Sequence, residues 1–131
     1  MSLKINIKTI PHSHHRYKGT VGDYFADKKG IEQVRVSKMS NWRYEYLVAI
    51  HELIEDFLCQ HRGIKESDIT RFDKQFERER EKGLHSPEAE CGDSMDAPYF
   101  IEHQFATKIE KMLAEQLGVS WEKYSNEIIT L

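Results

Sequence analysis

Apolar and polar positions alternate from residue 3 to residue 10. Leu3, Ile5 and Ile7 share one side; Lys4, Asn6 and Lys8 share the other. A period of two predicts a half-buried strand. The next stretch, PHSHHRYKGT, is a polar loop with three of the seven histidines; a solvated loop is the expectation for them. Two β-prone runs, about 21–26 and 31–37, flank the turn signal DKKG and predict a hairpin. At residue 42 the period changes. WRYEYLVAIHELIEDFLCQHRG reads as a helix to 62, capped by Ser40 or Asn41 and stopped by Gly63. At 100° per residue, Leu47, Ile50, Ile54, Phe57 and Leu58 make a broad apolar face, widened by Leu53 and Tyr46. A second helix, capped at Ser67 and ending near Gly83, spaces Ile69, Phe72 and Phe76 at helical intervals. Residues 84–98, LHSPEAECGDSMDAP, read as a surface loop. A last helix, YFIEHQFATKIEKMLAEQLG, stops at Gly118, and the tail VSWEKYSNEIITL adds a short docking segment through Trp121 and Tyr124.

This order predicts an α+β fold in one domain over 1–131: a small antiparallel sheet, a strand plus a hairpin, packed against three helices. The formal net charge is −3, with 31% charged residues. No global basic field points to nucleic acid. No apolar run is long enough for a bilayer, and the opening MSLKINIKTIPH lacks the apolar core of a signal peptide. The expectation is a cytoplasmic protein with no membrane or nucleic-acid partner. Cys59 and Cys91 do not make a disulfide framework and are expected as free thiols.

The chemistry gathers at residues 51–55, HELIE. His51 and Glu55 stand four residues apart, one above the other on the helix. Imidazole nitrogen and carboxylate oxygen both ligate zinc and its first-row neighbours. Glu52 points about 100° away and can serve as a base toward activated water. A third ligand has to come from elsewhere, and IEH in the last helix offers two. Glu102 falls inside the apolar arc of Ile101, Phe105, Ile109, Met112 and Leu113. There a carboxylate is costly unless paired or metal-bound. His103 lies further round, toward solvent, but is the better ligand chemically. Asp93 and Asp96 are weaker candidates. Each feature also has a plain reading: an i, i+4 hydrogen bond for His51–Glu55, and a buried ion pair with Arg43 or Arg35 for Glu102.

IEQVRVSKMSNWRYEYLVAIHELIE is a strand, a short loop and a helix with the His-Glu dyad in its middle. It resembles the core of zincin metallopeptidases, whose helix carries HExxH. In the gluzincin subclass a glutamate on a later helix is the third ligand. The resemblance implies a zincin-like fold and a metal-dependent hydrolase of peptides or proteins. His51 would be a ligand, Glu52 the general base and Glu102 the third ligand; Glu55 stands where the family has its second histidine. The implied cofactor is a divalent metal, zinc first, with iron or manganese as alternatives. The stretches IPHSHHRYKGTVGDYF, RVSKMSNWRYEYLVAIHELIE and APYFIEHQFATKIEKMLAEQLGVSWEKY are also similar to a group of small phage and prophage proteins of unestablished activity. That similarity implies a phage origin, with a non-enzymatic accessory or interaction protein as the alternative function. Glu52 and Glu55 together spell ExxE, which resembles the magnesium motif of all-α nucleotide pyrophosphohydrolases. The matching acidic pair would be Glu90 and Asp93.

Overall fold

The computed structural model describes residues 3–131. Three strands, β1 (Ile5–Ile10), β2 (Gly22–Ala26) and β3 (Glu32–Ser37), precede four helices. These are α1 (Trp42–His61), α2 (Glu66–Glu81), α3 (Phe100–Gln116) and α4 (Trp121–Thr130). The chain is α+β, as its patterning predicts.

The sheet differs from the expectation in two respects: it is mixed, in the order β1-β3-β2, and the apolar side of β1 stays open, with Leu3 and Ile7 exposed and Ile5 half-buried. The β2–β3 hairpin is antiparallel around DKKG. The Asp27 carboxylate closes that turn by accepting from the Lys29 and Ile31 amides, and Gly30 takes the positive φ, 79°, that L side chains avoid. β1, however, pairs parallel to β3 on its other side. The reason is connectivity. Ile10 and Gly22 lie level with Ser37 and Val36 at the same end of β3, so the 11–21 loop crosses that end from one sheet edge to the other. Here the histidine-rich loop finds its use. His12 Nδ1 and His15 Nε2 each lie 2.8 Å from the hydroxyl of fully buried Ser37. Two of the three loop histidines therefore pin the crossover.

Asn41 caps α1 by accepting from the Arg43 amide, and Gly63, at φ 70°, ends it. α2 starts at Glu66, one residue before the expected Ser67 cap. The 84–98 segment is tied down: the Arg80 guanidinium donates to the carbonyls of Pro87 and Ala89 at 2.9 and 2.5 Å. It contains a 3-10 turn, Cys91–Asp93. The tail forms a fourth helix. Its Ser120 accepts from the Lys123 amide, and Tyr124 is fully buried against Tyr44 and Trp121.

α1 packs along α3 and under β2 and β3. The deeply buried stripe of α1 is not the purely apolar arc. Alongside Leu47, it runs through Val48, His51, Glu55 and Cys59, while Ile50, Ile54, Phe57 and Leu58 are half-buried. α3 is inverted relative to the expectation. Ile101, Phe105 and Met112 are 66, 48 and 56% exposed, and the buried side is Glu102, His103, Ala106, Glu110 and Ala114. Two alanines allow close helix approach, and the buried polar residues on the same side find partners across the interface.

Candidate metal centre

The HELIE turn of α1 meets α3 inside the protein. His51, Glu55 and His103 are all at least nine-tenths buried. His51 Nε2 lies 3.1 Å from Glu55 Oε2 and 3.1 Å from His103 Nδ1; His103 Nδ1 lies 2.9 Å from the same oxygen. These atoms form a nearly equilateral triangle. Zinc bonds of about 2.0–2.1 Å to nitrogen and oxygen give a tetrahedral ligand set with edges of about 3.3 Å. The triangle is only a few tenths of an ångström tighter.

The outer partners set which atoms face inward. His51 Nδ1 lies 2.7 Å from Glu110 Oε1, so this nitrogen carries a proton, leaving Nε2 to face the triangle. The Tyr24 hydroxyl donates to the other oxygen of Glu55 at 2.9 Å. Gly92 lies flat on the His103 ring; a Cβ there would sit 2.3 Å from Cγ and 2.4 Å from Nδ1. Helix, strand and turn thus converge on each candidate ligand.

The mutual hydrogen bonds shift all three groups toward their charged forms. Burial alone would lower the pKa of His51, but the Glu110 and Glu55 hydrogen bonds outweigh it and hold the ring well above its ordinary value. His103 is likewise raised, to about 10, by Glu55 and Glu90 against the opposing effect of burial and of His51. Burial opposes ionisation of Glu55, yet hydrogen bonds from His103 and His51 pull it down to about 2. Without a metal the triangle therefore fills with protons, on two rings whose nitrogens stand 3.1 Å apart and whose like charges repel. A dication at its centre would replace those protons and remove the repulsion.

Glu52 sits beside the triangle, beneath β2. A Cβ on Gly22 would come within 2.6 Å of its Cγ and Oε1, so glycine is what admits this side chain under the strand. Burial, and then the Glu55 charge, raise its pKa well above the carboxylate range. Among the described residues no side chain or backbone group hydrogen-bonds to it. Its carboxylate and the triangle line one cavity of about 480 Å³, together with Gly22, Asp23 and Tyr24 of β2.

Glu102 does not join the triangle. It is buried, as its wheel position required, but its carboxylate accepts from Arg62 Nη1 at 2.7 Å. This is the ion pair weighed above, with Arg62 rather than Arg43 or Arg35. His103, expected toward solvent, is the residue that α3 turns inward. Asp96 is exposed. Asp93 lies on the other side of His103, and the Glu90–Asp93 pair stands on the 3-10 turn rather than on a helix. Glu110 was not singled out from the sequence. It lies seven residues after His103 on the stripe with Ala106 and Ala114, and that spacing is the signal that would have found it.

No described helix is long and apolar enough to cross a membrane. Comparisons with protein-family models, with curated proteins and with solved structures find no match for this chain, so the reading of this centre rests on its geometry.

Proposed function

We propose that the protein is a zincin-like metallohydrolase acting on peptides, with His51, Glu55 and His103 as metal ligands and Glu52 as general base. One observation carries the reading: two imidazole nitrogens and one carboxylate oxygen converge at tetrahedral-edge spacing in a buried triangle. Two histidines and a glutamate are a ligand set of catalytic zinc sites, which leave the fourth position open. The HELIE helix supplies one histidine and the glutamate, and α3 supplies the second histidine. The set is that of an HExxH helix plus a later glutamate, with two positions exchanged. The same two-histidine, one-carboxylate set also suits iron(II), and elemental analysis distinguishes the two metals.

A bound dication would polarise the scissile carbonyl and acidify the attacking water. Glu52 takes that proton. Its carboxylate has no competing hydrogen bond, and a nearby dication would draw its raised pKa back toward the working range. The substrate class follows from β2. Ser37 donates to the Val21 carbonyl, which makes 21↔37 a hydrogen-bonded pair in the antiparallel register. By alternation, Tyr24 turns its N–H and C=O away from β3, to the free edge beside the cavity. An extended peptide could pair with such an edge.

A second reading, a non-enzymatic interaction protein that binds metal for stability, is favoured by the exposed apolar stripe Ile101, Phe105 and Met112 on α3. Elemental analysis of the purified chain and of its His51→Ala, Glu55→Ala, His103→Ala and Glu52→Gln variants tests both. About one zinc per chain, lost in the three ligand variants and kept in Glu52→Gln, is expected. Hydrolysis of a quenched peptide library should vanish in Glu52→Gln. Zinc without hydrolysis in the wild type selects the second reading; no zinc in the wild type overturns both.

A further inference from the structure

His103 has a second nitrogen, which the triangle does not use. Nε2 is sealed from solvent and lies 3.1 Å from Glu90 Oε2 and 3.3 Å from Asp93 Oδ1, yet makes no aligned hydrogen bond with either. Hydrogen-bonded carboxylates would sit on the N–H axis. Co-ligands of one ion sit off that axis, about a tetrahedral edge apart, with every lone pair aimed at a common centre. The two Nε2–oxygen distances are slightly longer than the edges of the inner triangle, and the three ligand atoms lie within 4.8 Å of one another, close enough to share an ion. The two carboxylates are 55 and 57% exposed, whereas every inner ligand is buried. They flank Gly92, the residue that lets the turn lie against the ring.

We propose that His103 Nε2, Glu90 and Asp93 form an outer site for a divalent cation, which alternates with the inner site through the two nitrogens of one imidazole and admits the metal to it. The inference rests on the inner metal site proposed above. A neutral imidazole has one lone pair. While Nε2 holds the ion, Nδ1 keeps its proton and donates it to Glu55. When the ion moves inward, Nδ1 releases that proton to solvent water and takes the ion, and Nε2 takes a proton from water; the ring stays neutral, Glu55 stays ionised, and the two proton transfers balance. A protonated Nε2 has no lone pair left for a metal, so the outer site is closed to a second ion. The exposed carboxylates supply what the buried triangle lacks, a negative point of capture at the surface.

The test is stopped-flow and equilibrium binding of Co²⁺ to the full metal-free chain, read from its visible absorption, with circular dichroism to verify the fold. In Glu90→Gln/Asp93→Asn, the association rate should fall at least about tenfold, as expected when capture charges are removed. Saturation should stay at one ion per chain. The inner-site variant His51→Ala/Glu55→Ala, which keeps no zinc through purification, should still take up one Co²⁺ weakly in titration, and lose it when Glu90→Gln/Asp93→Asn is added. If that inner variant does not fold, His51→Gln alone replaces it. An unchanged association rate in the outer variant, with any loss of affinity coming from faster release, would reduce Glu90 and Asp93 to orienting groups and overturn the proposal. So would an inner variant that binds no Co²⁺, or one whose binding ignores the added substitutions. These results leave the inner site standing; a wild-type chain that binds no Co²⁺ overturns the inner site itself.

Discussion

Adding one methyl group at Gly92 should dismantle the metal centre without touching a ligand. A Cβ there would lie 2.3 Å from His103 Cγ and 2.4 Å from Nδ1. Carbon atoms rest at about 3.5–4.0 Å, so the ring or the turn must move by more than about 1 Å. The φ of Gly92 is not in the left-handed region, so alanine suffers no backbone strain and the effect is steric. Overpacking of this kind costs about 1–3 kcal/mol, a fall in Tm of roughly 3–15 °C for a chain of this size. The loss of metal is the larger effect. Ligand positions tolerate only about 0.2 Å, and perturbing an outer partner alone costs about 10–100-fold in affinity. A displaced ligand should therefore cost at least about 100-fold. Competition with a chromophoric zinc chelator measures the affinity, and calorimetry with and without zinc measures the stability. Gly22→Ala is the matched control. Its Cβ would meet Glu52 at 2.6 Å, but that side chain can swing aside. Zinc affinity should stay within about threefold while peptide hydrolysis falls about 100-fold, the cost of misplacing a catalytic group by about 1 Å. A Gly92→Ala protein with wild-type zinc affinity would show that His103 is not a ligand, and the argument would fail.

Tyr24→Phe removes the hydroxyl that holds Glu55, and should lower zinc affinity about 10–100-fold with little change in fold, measured by the same competition. Arg62→Ala leaves the buried Glu102 carboxylate unpaired. Because Arg62 is 44% exposed, the expected loss of stability is discounted to about 1–2 kcal/mol, and zinc stoichiometry by elemental analysis should not change. The pH dependence has opposite signs with and without metal. His103, raised to about 10 in the metal-free fold, contributes stability that is complete below its ordinary value of 6.5 and is lost as pH rises through 10. Glu55, lowered to about 2, contributes stability that is present above about 4.5 and lost as pH falls toward 2. Zinc displaces protons from the triangle, so its affinity rises with pH over the same alkaline range. Thermal melts between pH 6 and 9 should show the metal-free Tm falling while the zinc-induced shift grows; a shift that shrinks with pH would contradict proton displacement.

The elements were legible because their signals are local. The turn residues of DKKG, the cap at Asn41 and the glycine stop at Gly63 each act within a few residues, and the structure uses all of them; the period of two finds β1 as a strand but not its burial, since Leu3 and Ile7 stay exposed. The parallel pairing of β1 was not legible. Alternation says that a strand has a buried side, not which neighbour it takes. The choice depends on where the 11–21 loop crosses, and that depends on Ser37, more than twenty residues away, receiving His12 and His15.

The site shows the same division more sharply. Hydrophobic periodicity ranks residues by the cost of transferring each one alone from water. On that scale the Ile101, Phe105 and Met112 face of α3 belongs inside and His103 outside. Burial is decided for sets of residues: two histidines and two glutamates cost far less to bury together than singly, because each satisfies the others. His51, Glu55, His103 and Glu110 form such a set across two helices, and Ala106 and Ala114 give the backbone separation it needs. Glu102 illustrates the limit from the other side. Its burial was legible from its wheel position, but its partner was not. Only the fold places Arg62, forty residues earlier, within reach of it, and a buried carboxylate with a guanidinium at 2.7 Å is satisfied without metal. The choice between Glu102 and His103 was never contained in IEH. It was made by the residues opposite each of them: Arg62, just past the end of α1, for one, and the HELIE turn of α1 for the other.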